Sequence, residues 1–449
     1  MVEDLKKQIS TGLSKGLRFN SRNLFVLMVV VTSTIIVDSE IGVVADFIPS
    51  QISSSSGIAL FILIAIIFVL GQYFILAYIK QTNENTREGV LHLKITHRLV
   101  SLSQYVLAGI VAVVILQILL LQQYNLASLY VSYSLSYGLW IAAMGLLAKA
   151  LYEWYRFSSK SIMVLILALS MSAYVINGIA GMATHFDMLN QQKTVITSID
   201  IAFFPEFSIA TLGNQINIIY QVSSGVAYVL TWIGTVRLLH PYTRKLGRFK
   251  FWTLMCAVMV YYLVSFPLFI LGYFTLSENA DAMTNIIIFS LGGIFTGVVF
   301  GAAFLSVART LKKESVLRNH MIIAAYGFLL FYIAGSAYAS QAAYPPFGLV
   351  SVSLTGLSCY LIYSGLYSSA VTVSQDITLR TSIRRSVTEQ SKLLDSIGTA
   401  QMDQELQSRV MMVTMNLSYK LEEETGVEAS MTEEDIKEHI EMVRKEIQK

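Results

Sequence analysis

Four stretches of the sequence carry residue types that could do chemistry. "GLSKG" (12–16) matches the pattern around a nucleophilic serine, with Ser14 at its centre. Such an elbow needs a strand before it and a helix after it. The flanks instead show Leu5, Ile9, Leu13 and Leu17 at four-residue spacing among Lys6, Lys7, Lys15 and Arg18. That pattern suits either a helix on an anionic membrane surface or a frayed basic terminus. His92 and His97 are five apart, so they do not share a helix face as a metal-binding pair at spacing four would. "GMATHFDM" gathers Met182, His185, Asp187 and Met188, soft and hard ligands together that could hold copper or zinc. No second ligand cluster with recognised spacing accompanies it, so no metal site is assigned. Finally, Tyr130, Tyr133, Tyr137 and Trp140 share one helix face beside Ser132, Ser134 and Ser136. This stripe reads as an aromatic pocket for a small cation or planar ligand, or as interfacial and core packing.

The sequence contains no Walker-type glycine loop, dinucleotide fingerprint or kinase motif set. We therefore assign no catalytic or cofactor-binding residue, expect no enzyme activity, and expect no nucleic-acid partner. Asn416-Leu417-Ser418 matches the glycosylation acceptor pattern, but it falls in the expected cytoplasmic tail and should be unmodified.

The elements that must position these residues are membrane spans. Apolar residues make up 54% of the 449-residue chain, charged residues 14%, and mean hydropathy is +0.59. These values mark an integral membrane protein. The first 371 residues hold 36 Asp, Glu, Lys and Arg, and the last 78 hold 25, so a soluble tail follows a membrane body. Cys256 and Cys359 lie in apolar runs and read as small buried hydrophobes. No cleavable leader is read before the first apolar run, which should stay as an anchor.

A bilayer core of about 30 Å takes roughly 20 apolar residues per helix. Ten segments fit, near 22–42, 57–79, 99–121, 127–150, 161–183, 217–237, 251–275, 285–308, 320–342 and 348–371. With residues 1–21 cytoplasmic, the inner connections hold 21 Lys and Arg. The outer ones hold Lys193 alone, with eight acids that include Asp38 and Asp187. The charge-free run 319–375 is too long for one helix and must fold back. "YPPFG" (344–348) is the expected tip: Pro345 and Pro346 stiffen the turn and Gly348 frees the next helix. "QQYN" (122–125) divides the charge-free run 99–148 in the same way.

Away from their ends the spans contain no Asp, Glu, Lys, Arg or His, which weighs against an ion-coupled transporter. Asn177, Gln72, Gln104 and Gln117, with many hydroxyls, suit interhelical hydrogen bonds. Gly293, Gly297 and Gly301 at spacing four leave a groove for close helix approach, either inside the bundle or in a homo-oligomer. Pro267 should kink span seven.

The stretches "AYGFLLFYIAGSAYASQAAYPPFGLVSVSLTGLSCYLIYSGLYSSAVTVSQDITLRTSIRRS", "KLLDSIGTAQMDQEL", "SQYVLAGIVAVVILQ" and "WYRFSSKSIMVLILALSMSAYVIN" resemble a family of uncharacterised multi-pass membrane proteins of ammonia-oxidising archaea. The resemblance implies an archaeal plasma-membrane protein. It carries over no site residue, because the family has no established activity.

Beyond span ten, no proline or glycine interrupts 366–397, so that helix is expected to run into the cytoplasm with Leu379, Ile383, Val387, Leu394 and Ile397 on one side. After Gly398 a second helix shows Met402, Leu406, Val410, Val413, Leu417 and Leu421 on one face, and Gly426 stops it. A third, capped by Thr432, shows Ile436, Ile440, Val443 and Ile447. The face of Leu406, Val410, Val413 and Leu417 needs cover, from a cytoplasmic partner or from the basic inner loops, which complement a tail of 15 acids and 10 bases.

The fold expected is all-α: a polytopic membrane helix bundle of about ten transmembrane helices (22–371), a basic N-terminal segment (1–21) and a cytoplasmic helical tail (372–449). The function expected is a non-enzymatic sensor or scaffold relaying through the tail. A permease for an uncharged small solute and a structural subunit of a membrane complex are the alternatives.

Overall fold

The computed structural model describes residues 21–45, 55–84, 91–157, 161–191, 212–270, 280–311, 315–335, 345–384 and 389–425. Ser14, Thr432 and the third tail helix lie outside these residues. The described chain is helical and without strands. Its helices are α1 (Ser21–Ala45), α2 (Ser55–Glu84), α3 (Leu91–Leu121), α4 (Leu126–Phe157), α5 (Ile162–Gln191) and α6 (Leu212–Leu239). Two short turns, His240–Tyr242 and Thr243–Leu246, lead on to α7 (Arg248–Ile270), α8 (Ala280–Thr310), α9 (Val316–Gly335), α10 (Leu349–Gln375), α11 (Ile377–Arg384) and α12 (Glu389–Thr425). Among the described residues, eight helices, α2 to α6 and α8 to α10, are long and apolar enough to cross a membrane. The chain is a multi-pass membrane protein with an all-α helical bundle. The other two expected spans fall on α1, whose apolar part (Leu24–Ser39) is shorter, and on α7, which holds Pro267 in its last turn.

α10 is the axis of the bundle. Every residue from Leu349 to Leu366 is buried, and the helix touches α9, α4, α3, α2, α1 and α12. Its sequence allows this, because small residues occur on all its faces and neighbouring backbones can come close. Its hydroxyls need no water: Ser353 and Ser369 donate to the carbonyls of Leu349 (2.8 Å) and Gly365 (2.6 Å) one turn back. α3 is the contrasting case. Leu99, Leu102, Val106, Val113, Leu116 and Leu120 stay exposed along it, an apolar surface for lipid.

Glycines set the closest approaches. A Cβ at Gly297 would lie 2.8 Å from the Leu329 carbonyl oxygen, and one at Gly301 would lie 2.8 Å from that of Ala325. α8 therefore packs against α9 along these two positions, within one chain, while Gly293 is half-buried.

Both expected turns are present. α3 ends before Gln122, which takes a left-handed φ of 54°. Asn125 then starts α4 by accepting a bond from the Ala127 N–H (2.9 Å). Gly348 has φ 92°, the conformation glycine adopts most freely. The proline turn is not an exposed tip: Pro345 to Gly348 are all buried, and Phe347 meets Phe61 edge-on at 5.6 Å.

The tail departs from expectation twice. α10 does not run on into the tail. It stops at Asp376, whose extended backbone breaks the helix and whose Oδ1 caps α11 through the Leu379 N–H (2.9 Å). Gly398 does not break the tail either, since α12 passes straight through it. A Cβ there would collide with the Val373 side chain, so this glycine lets α12 lie against α10.

Candidate functional site

Among the described residues, polar groups come together at several places in the bundle. The first lies at the end where α3 turns into α4 and α10 begins, called here the turn end. The aromatic stripe of α4 faces α5 there, and His185 joins it. The His185 ring sits 5.2 Å from that of Tyr133 and 5.5 Å from that of Tyr137. Its Nδ1 lies 2.7 Å from the Gly181 carbonyl oxygen and 3.2 Å from the Tyr137 hydroxyl. With Nδ1–H donating to Gly181, Nε2 is the accepting nitrogen of the neutral ring. Tyr137, Trp140 and His185 line a cleft with Tyr220, Val352 and Thr355, and its inner void is about 20 Å³. That is room for one water-sized molecule. Trp140 Nε1 is buried and has no hydrogen-bond partner among the described residues.

The four residues of "GMATHFDM" are not gathered into one ligand set. His185 points inward while Asp187 is exposed, and the side chain of Met188 lies outside the described residues. No group of three His, Cys, Asp or Glu suited to a metal occurs among the described residues. His97 is likewise drawn into packing, with Nδ1 3.1 Å from the Tyr360 hydroxyl on α10.

The second place is Asp38. Sequence reasoning set it among the acids of an outer connection, but it lies within α1 and is fully buried. Its Oδ2 accepts bonds from the Ser351 N–H (2.9 Å) and the Ser351 hydroxyl (2.8 Å). The first turn of a helix presents N–H groups without intrahelical partners, and its dipole favours an anion there. Asp38 thus caps α10 from another helix. Asp38 and His185 lie at the ends of the apolar stretches Leu24–Ser39 and Ile162–Asp187, where the charge pattern leads one to expect ionisable groups, yet both are buried against neighbouring helices. Ser136 makes a comparable link at mid-bundle: its hydroxyl accepts from the Gly356 N–H (3.2 Å) and donates to the Val352 carbonyl.

The other spanning amides act as ties. Asn177 donates to the Tyr220 carbonyl (2.8 Å), joining α5 to α6, and Gln104 donates to the Ser353 carbonyl (3.3 Å), joining α3 to α10. Gln117 serves the turn, accepting from the Asn125 N–H (3.1 Å), while Gln72 is buried.

The third place is the opposite end, where the tail docks. Trp154, fully buried, donates from Nε1 to Gln401 Oε1 of α12 (2.8 Å) and stacks on Tyr367 of α10 at 6.0 Å. Gln404 donates to Glu153 Oε2 (2.7 Å). Leu393, Leu394, Ile397 and Ala400 are buried under this contact, and Arg384 of α11 pairs with Asp395 (2.9 Å). The base of the tail is held mainly by apolar burial and neutral hydrogen bonds. Sequence reasoning, which looked to charge, missed Trp154 and Gln401; a tryptophan and a glutamine facing each other across 247 residues leave no local signal. Further along α12 the face of Leu406, Val410, Val413 and Leu417 is exposed at 61%, 39%, 58% and 55%.

Compared with protein-family models, curated proteins and solved structures, the chain finds no significant match. The class rests on the fold: a multi-pass helical membrane protein.

Proposed function

We propose that the protein is a non-enzymatic membrane sensor or scaffold in which α10 links the turn end of the bundle to the tail. The observation that carries this reading is that α10, buried from Leu349 to Leu366, is held at one end by Asp38 and at the other by α12. A shift of a helix packed on all sides over most of its length is not absorbed locally, since close-packed interiors move between discrete arrangements. The excess of Lys and Arg in the expected inner connections supports a plasma-membrane orientation with residues 1–21 and 372–449 on the cytoplasmic side. In this reading the projecting part of α12 hands the signal to a cytoplasmic protein.

The test is recovery of associated proteins in mild detergent from the intact chain, a chain ending after Ala400, and the variant Val410→Asp/Val413→Asp. At least one protein should accompany the intact chain and be lost from both variants. Identical sets from all three would remove the scaffold reading. Solute uptake into vesicles carrying the pure protein would favour a permease instead.

A further inference from the structure

The connection between α6 and α7 sets a group of cations at the end of two exposed apolar stripes. From Arg237 to Cys256 the chain carries Arg237, Arg244, Lys245, Arg248 and Lys250, and no Asp or Glu. Arg237, Arg244, Arg248 and Lys250 are exposed, and none of the four is in an ion pair among the described residues. Phe249 stands between two of them and is 84% exposed. α6 runs from Tyr220, beside the aromatic cleft, to this connection, which therefore lies at the opposite end of the bundle, with the docked tail.

On α7, Phe249, Trp252, Cys256 and Val260 are exposed at helical spacing, while Phe251, Met255 and Val258 are buried on the other side. On α6, Ile219, Val222 and Val226 are exposed, and Arg237, three turns beyond Val226, ends the same face. Hydrogen bonds fix the heights of the two helices. Trp232 of α6 donates from Nε1 to the Met255 carbonyl of α7 (2.9 Å), and the Tyr228 hydroxyl donates to the Val258 carbonyl (3.0 Å). Arg237 lies five residues beyond Trp232, and Lys250 five residues before Met255. At about 1.5 Å per residue, each stands about 7.5 Å past that contact. The cations thus share one level, where both apolar stripes end. In a membrane protein that level is the boundary of acyl chain and headgroup, at which tryptophan and the long cationic side chains settle.

We propose that this surface binds an anionic phospholipid, its headgroup held among Arg237, Arg244, Arg248 and Lys250 and its acyl chains laid along the stripes that Phe249 and Trp252 begin. Guanidinium groups suit a phosphate because they donate to two of its oxygens at once. The stripes favour a lipid over free phosphate, which would use the cations and leave Phe249 in water. Lipid binding here needs neither the relay nor a cytoplasmic protein, since it rests on α6 and α7 alone.

The full chain in detergent is titrated with phosphatidylglycerol and with phosphatidylcholine of the same acyl chains, and bound lipid is counted by native mass spectrometry. The anionic lipid should be held at least about tenfold more tightly, since each Lys or Arg near a charged lipid is worth about fivefold. Arg237→Gln/Arg244→Gln/Arg248→Gln/Lys250→Gln should lose this preference, and lysine in place of the three arginines should keep most of it. Lys94→Gln/Arg98→Gln/Lys149→Gln/Arg156→Gln, an equal loss of exposed charge at the same end of the bundle, should bind as the parent does. Phe249→Ser should weaken both lipids and leave the preference in place. Unchanged binding by the first variant, or equal loss from both sets of four, would overturn the proposal. So would displacement of the lipid by inorganic phosphate alone, because the site would then read the phosphate without its chains. Tighter lipid binding by a chain ending after Ala400 would also count against it, since the acidic tail would then be the resident partner. All four cations are exposed, so the first variant should unfold at the parent's thermal midpoint.

Discussion

Replacing Asp38 by alanine should cost about 2 to 4 kcal/mol and lower the midpoint of thermal unfolding in detergent by several degrees. The change leaves the Ser351 N–H buried at the start of α10 without its acceptor, and such an orphaned donor costs about 1 to 3 kcal/mol. Loss of the charge at the helix terminus adds to this. The Ser351 hydroxyl keeps an alternative, since the Ile35 carbonyl lies 3.3 Å away, so the backbone donor carries most of the effect. Asp38→Asn retains an oxygen acceptor and should lose less than Asp38→Ala. Equal stability of Asp38→Ala and the parent would mean that water or another group supplies the cap.

Gly365→Ala should be still more damaging. Its Cβ would lie 2.5 Å from the Ala324 nitrogen and 2.7 Å from the His320 carbonyl oxygen, both backbone atoms of α9 that no rotamer change can move. The helices would have to separate along the interface of α9 with α10, where both are largely buried. Overpacking usually costs about 1 to 3 kcal/mol, and contacts to rigid backbone belong at or above the top of that range. The matched control is Gly109→Ala on α3, where an added Cβ meets nothing within 4 Å. There the change should stabilise by up to about 1 kcal/mol, because alanine favours the helix. The comparison is read as folded yield and thermal midpoint in the same detergent. If both variants behaved alike, the close approach of α9 and α10 would be wrong.

The spans were legible in the sequence because lipid imposes one strong rule: backbone groups must be satisfied within the segment, so a spanning helix declares itself by its length and apolar content. The turns at Gln122–Asn125 and Pro345–Gly348 were legible because Asn, Pro and Gly act locally. What was not legible depends on partners far away in the chain. Asp38 looks like a loop acid until Ser351, 313 residues on, is seen to need it. Gly398 has the composition of a helix stop, yet its role is set by Val373 across an interface. Asp376 is the opposite case, since an aspartate three residues before Leu379 is a local capping signal, but one set inside a long run without proline or glycine. The aromatic stripe of α4 and His185 each stand out in the sequence, but only the packing of α4 on α5 joins them into one cleft.

The central claim is that α10 couples the turn end to the docked tail, and hydrogen–deuterium exchange of the full chain in lipid nanodiscs tests it most directly. Asp38→Asn loosens the cap at one end of α10 while keeping an acceptor in place. The relay account predicts faster exchange both in peptides covering 345–356 and in those covering 389–404 at the base of α12, with the lipid-facing α3 unchanged. Faster exchange confined to 345–356, with 389–404 as protected as in the parent protein, would contradict it and leave α10 as a passive core helix.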